Sequence, residues 1–226
     1  MSLDRGHVLE LIGRLSGDEK HDWSSLSTLD PLLVLYGDIL RFDARRPDWE
    51  ERDRFVLSKG HGPGAYYAVL AACGFFPEEE LTNLMAFGSI LGAHPDRFLV
   101  PGVEASTGSL GHGLAMAAGI ALGLRAKGLH DQRVICLTGD AELNEGSNWE
   151  VILLAPALRL SSLTLLVIDN HTSSIPMRPW EDKFRSFGWN AEEVDGRDHD
   201  VMRTALSDRF ASPNVVIADV GLAVVS

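Results

Sequence analysis

Apolar residues along this 226-residue chain fall into short runs separated by glycine-rich loops, and the period of each run predicts an element. Near the N-terminus, Val8, Leu9, Leu11, Ile12 and Leu15 recur at helical spacing and predict a short amphipathic helix. Residues 30–40 (DPLLVLYGDIL) read as a buried helix. Residues 54–57 read as a short strand that runs into the loop SKGHGPG. A helix is predicted over 65–73, closed by Gly74. Another is predicted over 77–87, whose Pro-Glu-Glu-Glu start suits a first helical turn. A loop of small residues follows over 92–113, then LAMAAGIALGLRAKG, a helix whose Gly and Ala face allows close packing. From there strands at 133–137, 163–169, 191–194 and 215–219 alternate with helices at 147–158, 180–187 and 200–210. Buried apolar strands alternating with helices predict an α/β fold, a mostly parallel sheet flanked by helices on both faces. Ligands of such sheets bind beyond the carboxyl ends of the strands. The length suits one domain over 1–226, with 1–26 forming an N-terminal helix and loop.

Composition narrows the class without changing this picture. The chain is 45% apolar, yet its longest apolar runs are too short to span a bilayer. Its start lacks the pattern of a secretory signal, and a cytoplasmic location is expected. A net charge of −12 argues against a general nucleic-acid binder. Cys73 and Cys136 sit beside apolar residues, as buried free thiols of a reducing compartment do. Neither a zinc pattern nor a redox pair is present.

Two strand ends carry candidate chemistry. Asp140 follows the strand RVICL, and Asn170 follows LTLLVID thirty positions later. A hard cation such as Mg²⁺ or Ca²⁺ takes oxygen ligands, and phosphate oxygens complete the shell where the protein supplies one carboxylate. The segment GDAELNEG also leads into a predicted helix, whose first N–H groups suit a phosphate. The stretch from Gly139 to Asn170 is therefore expected to hold a diphosphate through a divalent metal. Against this stands the commoner role of Asp after a strand, capping a helix. No G-x-G-x-x-G follows a predicted strand, and GSLGHG precedes a helix without a strand before it, so a Rossmann site is not indicated.

The order SKGHG, GAHPD, STGSLGHG, GDAELNEGSNWE, VIDN resembles the N-terminal half of the transketolases, most closely the split form in which that half is a separate polypeptide. The resemblance runs from about residue 27 to 219. It implies thiamine diphosphate as cofactor, bridged by a metal ion on Asp140, Asn170 and the backbone carbonyl of Thr172. It implies that Gly139 and Asp140 lead into a diphosphate contact at the N–H of Ala141. The family has Gly at that last position, and a positive φ there would cost Ala of order 1 kcal/mol. Gly108, Ser109 and Leu110 match the loop against the thiazolium and aminopyrimidine rings. Glu145 and Glu150 match acidic positions near the partner domain. His61 and His94 match active-site imidazoles, suited to giving and taking protons. His21 matches a third, although the family's SGHPGG is EKHDWSS here. The usual Gln of GSLGQG is His112. After VVIADV the family continues with a Lys-Gly-rich segment and a further histidine, where this sequence ends in GLAVVS.

The resemblance also implies a partner. The glutamate that activates the aminopyrimidine belongs to a pyrimidine-binding domain, which no segment here resembles. The chain is expected to be inactive alone and to act with a separate pyrimidine-binding subunit, in an α2β2 heterotetramer. Together they would transfer a two-carbon ketol unit from a donor to an aldehyde acceptor. Two alternatives remain at the level of sequence. One is a related enzyme using a 2-oxo acid or another donor, and the other is a non-catalytic scaffolding subunit.

Overall fold

The computed structural model describes residues 3–15, 22–175 and 177–221. Five strands form one sheet: β1 (Arg54–Leu57), β2 (Val134–Gly139), β3 (Leu163–Asp169), β4 (Asn190–Asp195) and β5 (Asn214–Asp219). Their spatial order is β1-β2-β3-β5-β4, and every neighbouring pair is parallel. The α/β class read from the sequence is thus the observed one.

The alternation of side chains along each strand divides the core in two. Phe55, Leu57, Ile135, Leu137, Leu166, Ile168, Val216 and Ala218 face one layer. That layer contains α1 (Arg5–Gly13), α2 (Asp22–Val34), α3 (Gly64–Ala72) and α7 (His199–Ser207). Val56, Val134, Cys136, Leu163, Leu165, Val167, Val215 and Ile217 face the other. There they meet α4 (Gly113–Ala126), α5 (Gly146–Ala157) and α6 (Trp180–Ser186). Burial on both faces is why the strands lack a polar alternation. Cys136 is buried and Cys73 half-buried, both as free thiols, and burial pushes the Cys73 thiol up to about 12. Among the described residues no helix is long and apolar enough to cross a membrane.

Two elements differ from the sequence reading. The expected helix over 77–87 is a 3₁₀ stretch, Glu78–Asn83, in which Leu81 alone is buried. Leu84 is only partly buried and Met85 is exposed, so a longer helix gains little from packing, and Met85 takes a positive φ of 60°. The second helix begins at Asp22 rather than 30, and Pro31 lies inside it. A serine near its start is spent on a neighbour. Ser25 is buried, its Oγ donating to Gly62 O at 3.0 Å and accepting from Ala65 N at 3.3 Å. The helix then widens into a π turn, Leu35–Ile39, closed by Leu40 N on Leu35 O at 2.8 Å.

Asp30 joins three helices of the first layer. Its carboxylate accepts from Arg5 Nε at 2.8 Å and lies 3.0 Å from His199 Nε2. Burial pushes the carboxyl upward, and the bonds from Arg5 and His199 outweigh it, leaving it below the usual range. A depressed carboxyl stabilises the fold above its unfolded pKa, and the contribution is lost as pH falls through the folded value. Asp30→Asn is therefore expected to lower unfolding free energy by about 1 kcal/mol at pH 7. Urea melts as a function of pH check this, the difference from the parent vanishing in acid below the usual carboxylate range.

Candidate functional site

Three loops leave the sheet at the carboxyl ends of β1, β2 and β3, and they carry most of the candidate residues. The β1 loop opens with Ser58 N and Lys59 N both donating to Leu137 O, at 2.8 and 3.1 Å. It continues through Gly60 and His61 to Gly62, whose φ is 67°. Gly60 lies against Gly108 so closely that a Cβ on it would stand 2.8 Å from the Gly108 nitrogen. A Cβ on Gly108 would in turn meet the His94 ring at 2.9 Å. These contacts bring the exposed rings of His61 and His94 edge to face, centroids 5.3 Å apart. Thr107 laces the loops together, its Oγ1 donating to Leu57 O at 2.6 Å and its N to Pro95 O at 3.2 Å. Ser109, Leu110 and His112 are exposed along the same stretch, and His112 Nδ1 lies 3.1 Å from Leu110 O.

The β2 and β3 ends meet at Asp140. Its carboxylate, 2% exposed, accepts from Thr172 N at 2.8 Å and Ser173 N at 3.0 Å. It also accepts from Ala141 N at 2.8 Å and Thr172 Oγ1 at 3.2 Å. Thr172 Oγ1 also lies 2.6 Å from Asn170 Oδ1, so Asp140, Asn170 and Thr172 form one cluster of oxygens. Among the described residues no three His, Cys, Asp or Glu side chains gather into a metal site. The oxygens brought together are those of one carboxylate, one amide and the Thr172 hydroxyl, donors of the kind a hard cation takes.

Ala141 begins a right-handed 3₁₀ turn, Ala141–Asn144, and is not among the residues with positive φ. The steric penalty considered for Ala in place of Gly therefore does not arise. The N–H expected to meet a diphosphate is engaged by the Asp140 carboxylate. Glu145 and Glu150 are exposed, on and just before α5. His21 lies outside the described residues.

Three residues of this site escaped the sequence reading, all inside motifs it had singled out. Lys59 is 9% exposed, its methylenes along Gly139. Burial pushes its ammonium down to about 8, against the pull of the Glu142 and Asp140 carboxylates. Glu142 and Ser58 are likewise buried and joined through Ser58 Oγ. The signal available was position alone: a polar or charged residue one to three places beyond a buried strand end.

Residues 16–216 match the family model described as transketolase, thiamine diphosphate binding domain. The chain belongs to the transketolase family. A relative named 6-deoxy-6-sulfo-D-fructose transketolase subunit SqwG, from Clostridium sp., is 40% identical over 88% of this chain and 74% of its own length. Another, named as one of the subunits of an apulose-4-phosphate transketolase, from Actinobacillus succinogenes, is 38% identical over 88% of this chain and 75% of its own. A protein named Ferredoxin fas2, from Rhodococcoides fascians, is 48% identical over 93% of this chain and 70% of its own. The crystallised transketolase of Leishmania mexicana superposes with a TM-score of 0.81 at 26% identity, covering 97% of this chain and 37% of that one. The chain thus spans about a third of that transketolase, and corresponds to the part that binds thiamine diphosphate in the family.

Two substitutions test this geometry. Ala141→Gly is expected to lower stability by about 0.5–1 kcal/mol, because a right-handed position gains nothing from glycine. Lys59→Met removes a buried cation whose folded pKa lies below its unfolded one, a group that costs stability while both states are charged. Unfolding free energy should rise by about 1–3 kcal/mol below pH 8, the gain shrinking as pH climbs towards the ordinary lysine value. Chemical denaturation at pH 7 and pH 10 measures both substitutions.

Proposed function

We propose that this chain is the diphosphate-binding subunit of a two-component transketolase, active with a separate pyrimidine-binding subunit. The carrying observation is the oxygen cluster of Asp140, Asn170 and Thr172 at the ends of β2 and β3. Mg²⁺ would be held by the Asp140 carboxylate, the Asn170 amide oxygen and the Thr172 carbonyl. The diphosphate would complete the shell and face the Gly139–Ala141 turn, with the Lys59 cation beneath it. Thiamine diphosphate, when bound, supplies the carbanion that cleavage beside a carbonyl requires. The protein's own part is to hold and orient the reactants and to move protons.

His61 and His94 suit that second task. They stand side by side at the mouth of the site, each backed by glycine that lets a ligand approach. In the proposed reaction they donate to and accept protons from the oxygens of the donor ketose and the acceptor aldehyde. Gly108, Ser109 and Leu110 would lie against the cofactor rings, and His21 would join the imidazoles. The names of the two transketolase-subunit relatives point to ketoses as the donor class.

The surface beside the site supports a partner. Leu110, Met116, Leu153 and Leu154 are exposed at the loop before α4 and on α4 and α5, with Glu145 and Glu150 alongside. Gly119 and Gly123 on α4 have open space where a Cβ would stand. An apolar, low-relief helix pair is the surface an obligate subunit contact needs. An α2β2 assembly would cover it.

Coupled assays of ketol transfer from a ketose phosphate to an aldehyde, with pyruvate as the competing donor, test the reading. The chain alone should be inactive, and adding the pyrimidine-binding subunit, Mg²⁺ and thiamine diphosphate should restore turnover. Asp140→Asn should lower kcat/KM by about 100-fold or more, through loss of the metal's carboxylate. Full turnover by the chain alone, or preference for pyruvate, would sink the proposal.

A further inference from the structure

Glu142 sits in the same segment as Asp140 and has no part in the reading above. It is 2% exposed, and one of its carboxylate oxygens accepts from Ser58 Oγ and from Gly111 N, the latter at 2.9 Å. The other oxygen reaches Gly139 N at 3.4 Å. Ser58 Oγ also accepts from Gly113 N at 3.0 Å, at the start of α4. One side chain thus ties the β1 loop, the loop before α4 and the end of β2.

The geometry makes this tie a strut. Glu142 belongs to the 3₁₀ turn that begins directly after Asp140, so its backbone moves with the proposed metal ligand. Its carboxylate ends on Gly111, the residue after Leu110. From the other side Gly111 is pressed by α5: at its φ of 82°, a Cβ would stand 2.5 Å from Ser147 Oγ and 2.7 Å from Glu145 Cβ. Ser147 Oγ also donates to Gly111 O at 2.8 Å. Gly111 is therefore clamped between Glu142 and the start of α5. Burial lifts the Glu142 carboxyl above its usual range, in spite of the bonds from Ser58, Gly111 and Gly139 and the nearby Lys59 cation. A buried carboxylate is a costly way to satisfy three donors if stability is the sole end.

We infer that Glu142 is a positioning residue that sets the distance between the diphosphate anchor at Asp140 and the loop of Gly108, Ser109 and Leu110. The inference rests on the thiamine diphosphate reading and adds a residue to it. A two-ended ligand gains from its second end only when both subsites stand at the span it offers. Without the strut, the anchor remains while the ring end loses its register.

Calorimetry on the full chain with its pyrimidine-binding subunit separates the two ends. The probes are magnesium pyrophosphate, which engages the anchor alone, and thiamine diphosphate with Mg²⁺, which spans both. Glu142→Ala should bind pyrophosphate within about 3-fold of the parent and thiamine diphosphate about 30-fold more weakly or worse. Glu142→Gln keeps the length and one accepting oxygen and should recover to within about 5-fold. Glu142→Asp keeps the charge but is one methylene shorter, and should be weaker than the Gln variant. Equal losses for both probes, an unchanged thiamine diphosphate affinity, or Asp outperforming Gln would each overturn the inference. Unmutated protein that binds neither probe overturns the diphosphate reading itself, and the strut with it. Should Glu142→Ala fail to fold, the order of Gln and Asp decides.

Discussion

The register between β2 and β3 is the constraint on which the site depends. Gly139 pairs with Ile168, and one step further Asp140 N donates to Ile168 O at 3.0 Å. That last rung sets Asp140 level with the 170–173 turn, whose amides then close on its carboxylate. β1 is held the same way, Leu57 beside Leu137, so the loop carrying Lys59 and His61 leaves the sheet at the same edge. A shift of one residue would exchange the two core faces of a strand. Ile168 and Val167 belong to different layers, so the packing that builds the core also fixes the cluster.

This coupling explains which parts of the fold were legible. Residues 54–57 and 163–169 were read at their observed bounds because continuous apolar strands ending at a charged or glycine-rich turn have one reading. Element ends elsewhere moved by one to three residues. The misplaced helices were those whose hydrophobic pattern was not decisive. Residues 77–87 have helix-favouring Glu at the start yet bury Leu81 alone. Ser25, early in the second helix, serves the turn at Gly62 and Ala65, a contact with no local signature. At the site, strand ends and spacing marked Asp140 and Asn170, and the resemblance marked His61 and His94. Sequence could not show that Gly60 touches Gly108 and Gly108 touches His94, because the first contact joins residues 48 apart and both depend on the absence of side chains.

Of the charged residues buried among the described ones, Lys59, Asp140, Glu142 and Asp169 lie at the carboxyl ends of the strands, while Asp53 and Arg54 lie at the amino end of β1 and Asp30 lies among the helices of the first layer. Asp169 is matched by Trp180 Nε1 at 2.8 Å, His171 N at 3.1 Å and Arg178 at 2.7 Å. Its partners come from its own loop and the helix that follows. Lys59 and Glu142 instead face each other across two loops, and burial works against the charge of both. A fold selected for stability alone would place apolar groups there. Asp30 and Asp53 are paired with Arg5 and Arg41, whereas burial opposes the charge of both Lys59 and Glu142, as expected where binding has been favoured over stability.

The turn after β3 shows how such a cost is contained. For the Asn170 side chain and the Thr172 backbone to face Asp140 together, the chain must reverse within one residue, and His171 takes a φ of 60°. A non-glycine residue there carries strain of order 1 kcal/mol. The ring is not idle. Its Nε2 lies 2.9 Å from Arg178 and 3.0 Å from Asp219, at the end of β5. Arg178 in turn bridges Asp169, Asp219 and Glu193, so the strained residue is fastened to three strands of the sheet. Glycine would relieve the backbone but leave no ring to fasten. The side chain therefore converts a flexible reversal into one braced from β3, β4 and β5. Asp140 then meets two amides and a hydroxyl already in place, and a cation entering the cluster would find its ligands ordered by the sheet.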